Sequence, residues 1–245
     1  MNVIRKSLLG VSSLLFLGWL GAVAWELGVG PGIDLSTSGL LNGVVGQSGA
    51  LDLGILFLSS RVGQVAAGLL MLAWFAGLRH GGKGLGLWVG LVLAGGTALL
   101  VAEGLDHRFT RPGPVVALEG FRALAADTVL SHRAPRQTGF PEEGMAVLAA
   151  LCVLAALRLG PAALAGLALW VLVGLAIVAS GEAWALEVLG GGIVGLLAAA
   201  AVQVTGLVDA AAGLPRCVAT RWAGHRTRSA PHSTDSMPAG LSQNG

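Results

Sequence analysis

Six apolar segments, each roughly 15 to 23 residues long and poor in charge, divide this chain at residues 7–29, 60–78, 85–104, 144–158, 161–180 and 185–208. Segments of that length match the hydrocarbon thickness of a bilayer when helical, and a soluble core has no use for so many. With 54% hydrophobic and only 11% charged residues, there is too little polar surface to solvate six such helices in water. The expected fold class is therefore all-α and integral to a membrane, with six transmembrane helices. The fourth segment is short and closes on Arg158, whose long side chain reaches an interface by snorkelling.

Residues 1–30 form the first transmembrane helix in this reading. Arg5 and Lys6 ahead of an apolar run resemble a signal peptide, but Glu26 and Pro31 follow where a small-residue cleavage site belongs, so the segment is expected to stay as an anchor. Residues 31–59 form an outer Gly/Ser-rich loop, with an interfacial helix at Leu51–Leu58; residues 60–208 make the membrane domain, with its outer loop at 106–143. Residues 209–245 are a basic and then disordered cytoplasmic tail.

Basic residues set the orientation. Arg5, Lys6, Arg79, Lys83, Arg158, Arg216, Arg221, Arg226 and Arg228 fall on one side. Arg61, Arg108, Arg111, Arg122, Arg133 and Arg136 fall on the other, five of them in one long loop. Both termini are thus expected in the cytoplasm, and the location is a bacterial inner membrane. A net charge of +2 scattered over two faces of a membrane argues against nucleic-acid binding. Cys152 lies mid-span and Cys217 beyond the last span, too far apart in depth to pair. No metal-ligand spacing stands out, and no cofactor is expected. Trp19, Trp25, Trp74, Trp88, Trp170 and Trp184 lie toward span ends, as interface anchors do. Leu118–Asp127 reads as a short amphipathic helix over the surface. Gly191 and Gly195, with the alanines at 198–201, give the last span a smooth face for close packing.

Three polar clusters interrupt the apolar pattern: Phe109-Thr110-Arg111-Pro112-Gly113-Pro114, Phe140-Pro141-Glu142-Glu143-Gly144, and Gly181-Glu182-Ala183-Trp184-Ala185-Leu186-Glu187-Val188-Leu189-Gly190. The six-span topology puts all three on the outer face. Their order and framing residues resemble those of the type-2 phosphatidic acid phosphatases, integral membrane lipid phosphatases, over roughly residues 50 to 208. That resemblance implies a phosphatidic-acid-phosphatase-like bundle with membrane lipids as ligands.

It also implies a set of functional positions, and here each is replaced. In the first motif, Lys-x6-Arg-Pro, the lysine position is Asp106 and the arginine position Gly113. In the second, Phe-Pro-Ser-Gly-His, the serine position is Glu142 and the general-acid histidine position Gly144. In the third, the arginine position is Ile177, the nucleophilic histidine Ala183, and its aspartate partner Glu187. Phosphoryl transfer needs fixed positive charge, a nucleophile and an acid. Ala183 cannot attack, Gly144 cannot donate a proton, and Asp106, Gly113 and Ile177 offer no cation.

The expectation is therefore a degenerate member, a pseudoenzyme with no catalytic residue, serving as a lipid-binding or scaffolding protein or as an accessory subunit of a membrane complex. Glu103, Asp106, His107, Arg108, Arg111, Glu142, Glu143, Glu182 and Glu187 remain as binding candidates, with Glu103, Asp106 and His107 on one helical face if the third span extends that far. Two competing classes follow. One is a divergent lipid or isoprenoid phosphatase relying on His107, His132, Arg108 and Arg111. The other is a cation- or metal-handling protein using the acidic group, since carboxylates beside a histidine suit hard or borderline cations. The plainer account of the carboxylates is an interfacial one, paired with Arg108, Arg111, Arg133 or Arg136 or facing water.

Overall fold

The computed structural model describes residues 31–78, 84–106, 108–122, 124 and 137–205. The first expected span, the tail, His107, His132, Arg133 and Arg136 lie outside the described residues. The elements run α1 (Pro31–Asn42), α2 (Gly49–Ser59), α3 (Arg61–Leu78), α4 (Gly84–Asp106), β1 (Thr110–Pro112), α5 (Pro114–Ala117), β2 (Gln137–Gly139), α6 (Glu143–Leu159), a 3-10 turn (Pro161–Leu164), α7 (Ala165–Ser180) and α8 (Ala185–Thr205).

Among the described residues, four stretches are long and apolar enough to cross a bilayer: Arg61–Leu78, Leu85–Asp106, Pro161–Ser180 and Ala185–Thr205. The expected span at 144–158 is a helix of 17 residues. It is the centre of the bundle, with Met145, Ala146, Ala150, Cys152, Leu154 and Ala155 all fully covered. A helix apolar on every side is one surrounded by neighbours. Around it, Val65, Leu69, Leu70, Val92, Leu100 and Leu172 stay exposed on the outer helices. Lipid is the solvent that such a perimeter requires, and the chain is a membrane protein.

Helix α8 lies closest to α6, because glycine lets the backbones meet. A Cβ at Gly191 or Gly195 would run into the α6 backbone at Glu142 or Ala146, and one at Gly195 would also lie 2.7 Å from the Ala149 methyl. The smooth face expected of the last span is thus the packing face. Trp170 closes the other side, its ring over Gly192 and its Nε1–H donating to the Met145 carbonyl at 3.0 Å.

Two local expectations change. The stretch from Pro31, read as loop, is helical. Its buried residues are Asp34, Ser38 and Asn42 at i, i+4 and i+8, while Leu35 and Leu40 are exposed. The stripe facing the protein is polar, so a search for an apolar stripe passes over it. Asn42 secures it, donating to the Arg122 and Ala179 carbonyls at 2.9 and 3.0 Å and accepting from Arg122 N–H at 2.8 Å. The helix expected at Leu118–Asp127 is absent over its described part. The single turn α5 ends at Ala117, and Gly120 at φ +75° turns the chain away.

Candidate functional site

The three clusters meet at one end of the bundle. Strand β1, inside the first, pairs antiparallel with β2, just ahead of the second, in the register Thr110–Gly139, Arg111–Thr138 and Pro112–Gln137. Phe140 N–H then donates to the Phe109 carbonyl at 3.0 Å, and the Phe140–Pro141 peptide is cis. The second cluster joins the third through Glu142 N–H to the Glu187 carbonyl, also 3.0 Å. The Phe140 ring fills the space over Gly190, where a Cβ would sit 2.5 Å from ring carbons.

Arg111 is the hub. Its Nε donates to Glu187 Oε1 at 2.9 Å and its Nη2 to Asp34 Oδ2 at 2.7 Å, while the guanidinium carbon lies 5.0 Å from the centre of the Trp184 ring. Trp184, expected as an interface anchor, is instead buried, its indole N–H donating to the Pro112 carbonyl at 2.9 Å. Glu187 is fully buried and fully used: Oε1 also accepts from Thr138 Oγ1 at 2.8 Å, and Oε2 from Trp184 N–H at 2.9 Å. That last bond is half of a capping box, in which an acid in the first turn reaches back to the helix start.

Beside this network lies a cavity of about 190 Å³. Its wall carries five carboxylates, Asp106, Glu142, Glu143, Glu182 and Glu187, with Arg61, Gln64, Thr138, Gly139 and Ala183. Arg61 reaches Glu143 at 3.4 Å from an exposed position. It is aimed there by the break between α2 and α3, where Ser60 turns extended and its hydroxyl accepts from Gly63 N–H at 3.1 Å. Gln64, one turn on, donates to the Ser59 carbonyl at 3.1 Å and presents its Oε1 to the space where a Cβ at Gly144 would stand.

The positions that the resemblance singled out divide. Asp106, Glu142, Ala183 and Glu187 face the cavity. Gly144 adjoins it, and Gln64 occupies the space where a Cβ would stand. Gly113 is buried as the N-cap of α5, and Ile177 is buried in the apolar core, its carbonyl accepting from Glu182 N–H at 3.1 Å. Glu142 caps α6 by accepting from Met145 N–H. Of the other binding candidates, Glu143 and Glu182 line the cavity, whereas Glu103 and Arg108 are exposed outside it; His107 is outside the described residues. Among the described residues no three of His, Cys, Asp and Glu converge on a point where a metal ion would sit.

Electrostatics follow from crowding. Burial, reinforced by the Glu142 charge, pushes Glu182 up to about 7 against a smaller opposing pull from Arg61. Burial likewise raises Glu142, although its bond from Met145 N–H and the nearby Arg61 oppose the shift. Asp34 is one residue that sequence reasoning missed. Its signal is an acid in a Gly/Ser-rich stretch without a basic residue, and only the fold shows its partner 77 residues away.

The arrangement defines a class: a helical membrane protein of phosphatidic-acid-phosphatase-like fold, its three motif junctions gathered at one end. In structure the chain is similar to LpxE of Aquifex aeolicus, known from a crystal structure. The match has a TM-score of 0.51 at 18% identity, covering 70% of this chain and 94% of that one. At that identity the likeness shows the fold. No family model matches the sequence, and no curated protein does.

Proposed function

We propose that this chain is a multi-pass inner-membrane protein that has kept a phosphatase-like fold and lost its phosphate site, and that it works as a lipid-binding or scaffolding protein or an accessory subunit. One observation carries this reading: the cavity is lined by five carboxylates, with Ala183 on its wall and Gln64 in the space beside Gly144. A phosphate dianion entering there meets carboxyl groups on several sides and, among the described residues, no free guanidinium beside them, with Arg111 held by two acids and Arg61 turned to Glu143. Removing one preorganised charge from a phosphoryl-transfer site costs on the order of a hundredfold to a thousandfold in rate. At the matched motif positions here, Ala183 is no nucleophile and Asp106, Gly113 and Ile177 are no cations. The six-span topology, with both termini cytoplasmic, and the lipid-facing role of residues 60–208 belong to the same proposal.

The competing reading, a divergent lipid or isoprenoid phosphatase, draws support from the same fold and from Arg111 standing at the junction of all three clusters. Phosphate release by the purified protein from phosphatidic acid and isoprenoid phosphates separates the two. Release no faster than the buffer blank is expected. Turnover that disappears in Arg111→Ala would establish the phosphatase instead.

A further inference from the structure

Helix α8 begins with an unusual division of labour. The first amides of a helix have no partner within it and are ordinarily capped by a Ser, Thr, Asp or Asn at the preceding position. That position is Trp184, whose side chain has no oxygen. Glu187 takes the Trp184 amide, and the Leu186 amide is left to another helix: Asp34 of α1 accepts from it through Oδ1 at 3.0 Å. The other oxygen of the same carboxylate takes Arg111 Nη2 at 2.7 Å. The Asp34 side chain is 1% exposed, and α1 holds it there by turning its polar stripe inward.

A helix-start amide and a guanidinium converging on one pair of oxygens is the coordination that a bound oxyanion receives. Helix α6, which begins nearby, has a different arrangement, since its own N-cap Glu142 closes it locally. We propose that Asp34 is a resident counter-anion: α1 inserts a carboxylate into an oxyanion site formed by Arg111 and the Leu186 amide, and so keeps that site closed to phosphate-type ligands. Closure follows from occupancy: the two oxygens of Asp34 take the Arg111 Nη2 and the Leu186 amide, and its charge offsets that of the guanidinium. The helix start adds about half a positive charge. Once that carboxylate is removed, the remaining charges admit an external anion.

The inference does not rest on the non-catalytic reading. Phosphate release from a lipid tests that reading and anion binding by a variant tests this one, so each can fail alone. Inorganic phosphate is titrated at constant ionic strength into the full-length protein, Asp34→Ala and Asp34→Ala/Arg111→Gln, each checked for helicity and monodispersity in detergent. Asp34→Ala is expected to bind phosphate at least tenfold more tightly than the unaltered chain, and the added Arg111→Gln to abolish the gain. Equal binding by the unaltered chain and Asp34→Ala overturns the proposal, as does a gain that survives in the double variant. If Asp34→Ala folds only when phosphate is present, the proposal stands. If it stays unfolded at every phosphate concentration, Arg111 requires the tethered carboxylate and the proposal fails.

Discussion

Glu182 sits in the link between α7 and α8, where burial and the neighbouring Glu142 disfavour its charge. Its carboxyl is raised from an ordinary 4.5 to about 7 in the folded protein, so between those values the folded state holds a proton that the unfolded state releases. Stability must then fall as pH rises from about 4.5 through about 7, and level off above. The thermal midpoint in detergent, followed across that window, is expected to drop with rising pH. In Glu182→Gln the slope should shrink without vanishing, because burial also raises Glu142 beside it. An unchanged slope would mean that Glu182 ionises freely. At this scale the sequence was legible where a residue belongs to a motif frame: Pro112, Phe140, Pro141, Trp184 and Gly190 all stand at the junction. It was silent on Asp34 and Gln64, because neither follows from local pattern. One is bound by a salt bridge to another element, the other by the space that a glycine leaves.

Among the elements, the α6–α8 contact tolerates the least change. Replacing Gly195 by Leu drives a side chain into the Ala146 carbonyl, and backbone cannot step aside as a side-chain tip does. A loss of about 3 kcal/mol or more is expected, the upper part of the range for overpacking. It should show as a lower thermal midpoint and a poorer folded yield. Gly96→Ala in α4 is the matched control: nothing lies within 4 Å of its Cβ position, so the better helix former should leave stability equal or slightly higher. Equal behaviour of the two variants would deny the close approach. The glycine face could be read from spacing alone, and so could the apolar helices, because length and hydropathy are local properties. Helix α1 could not. It presents polar residues inward and Leu35 and Leu40 outward, the reverse of the pattern that periodicity detects in a protein surrounded by water.

For the molecule as a whole, composition alone identified a membrane protein, and the order of three short clusters pointed to the phosphatase-like fold shared with LpxE. Orientation rests on the distribution of arginines and is testable with the chain's own thiols. Cys152 is buried in the bundle, so Cys217 is the cysteine expected to react with a membrane-impermeant maleimide. Labelling is expected in inverted membrane vesicles and not in intact spheroplasts. The opposite result would turn the topology over.

Helices α6 and α8 both start at the site, and each start is satisfied by a carboxylate, Glu142 for one and Asp34 with Glu187 for the other. What such a junction demands is negative charge, with no preference for who brings it. Under mutation and selection, that leniency gives a lineage freedom of movement: a host side chain can take over from a guest anion one substitution at a time, with the helix ends satisfied at every step. Chemistry at this end of the bundle can therefore drift while the architecture beneath it is inherited intact.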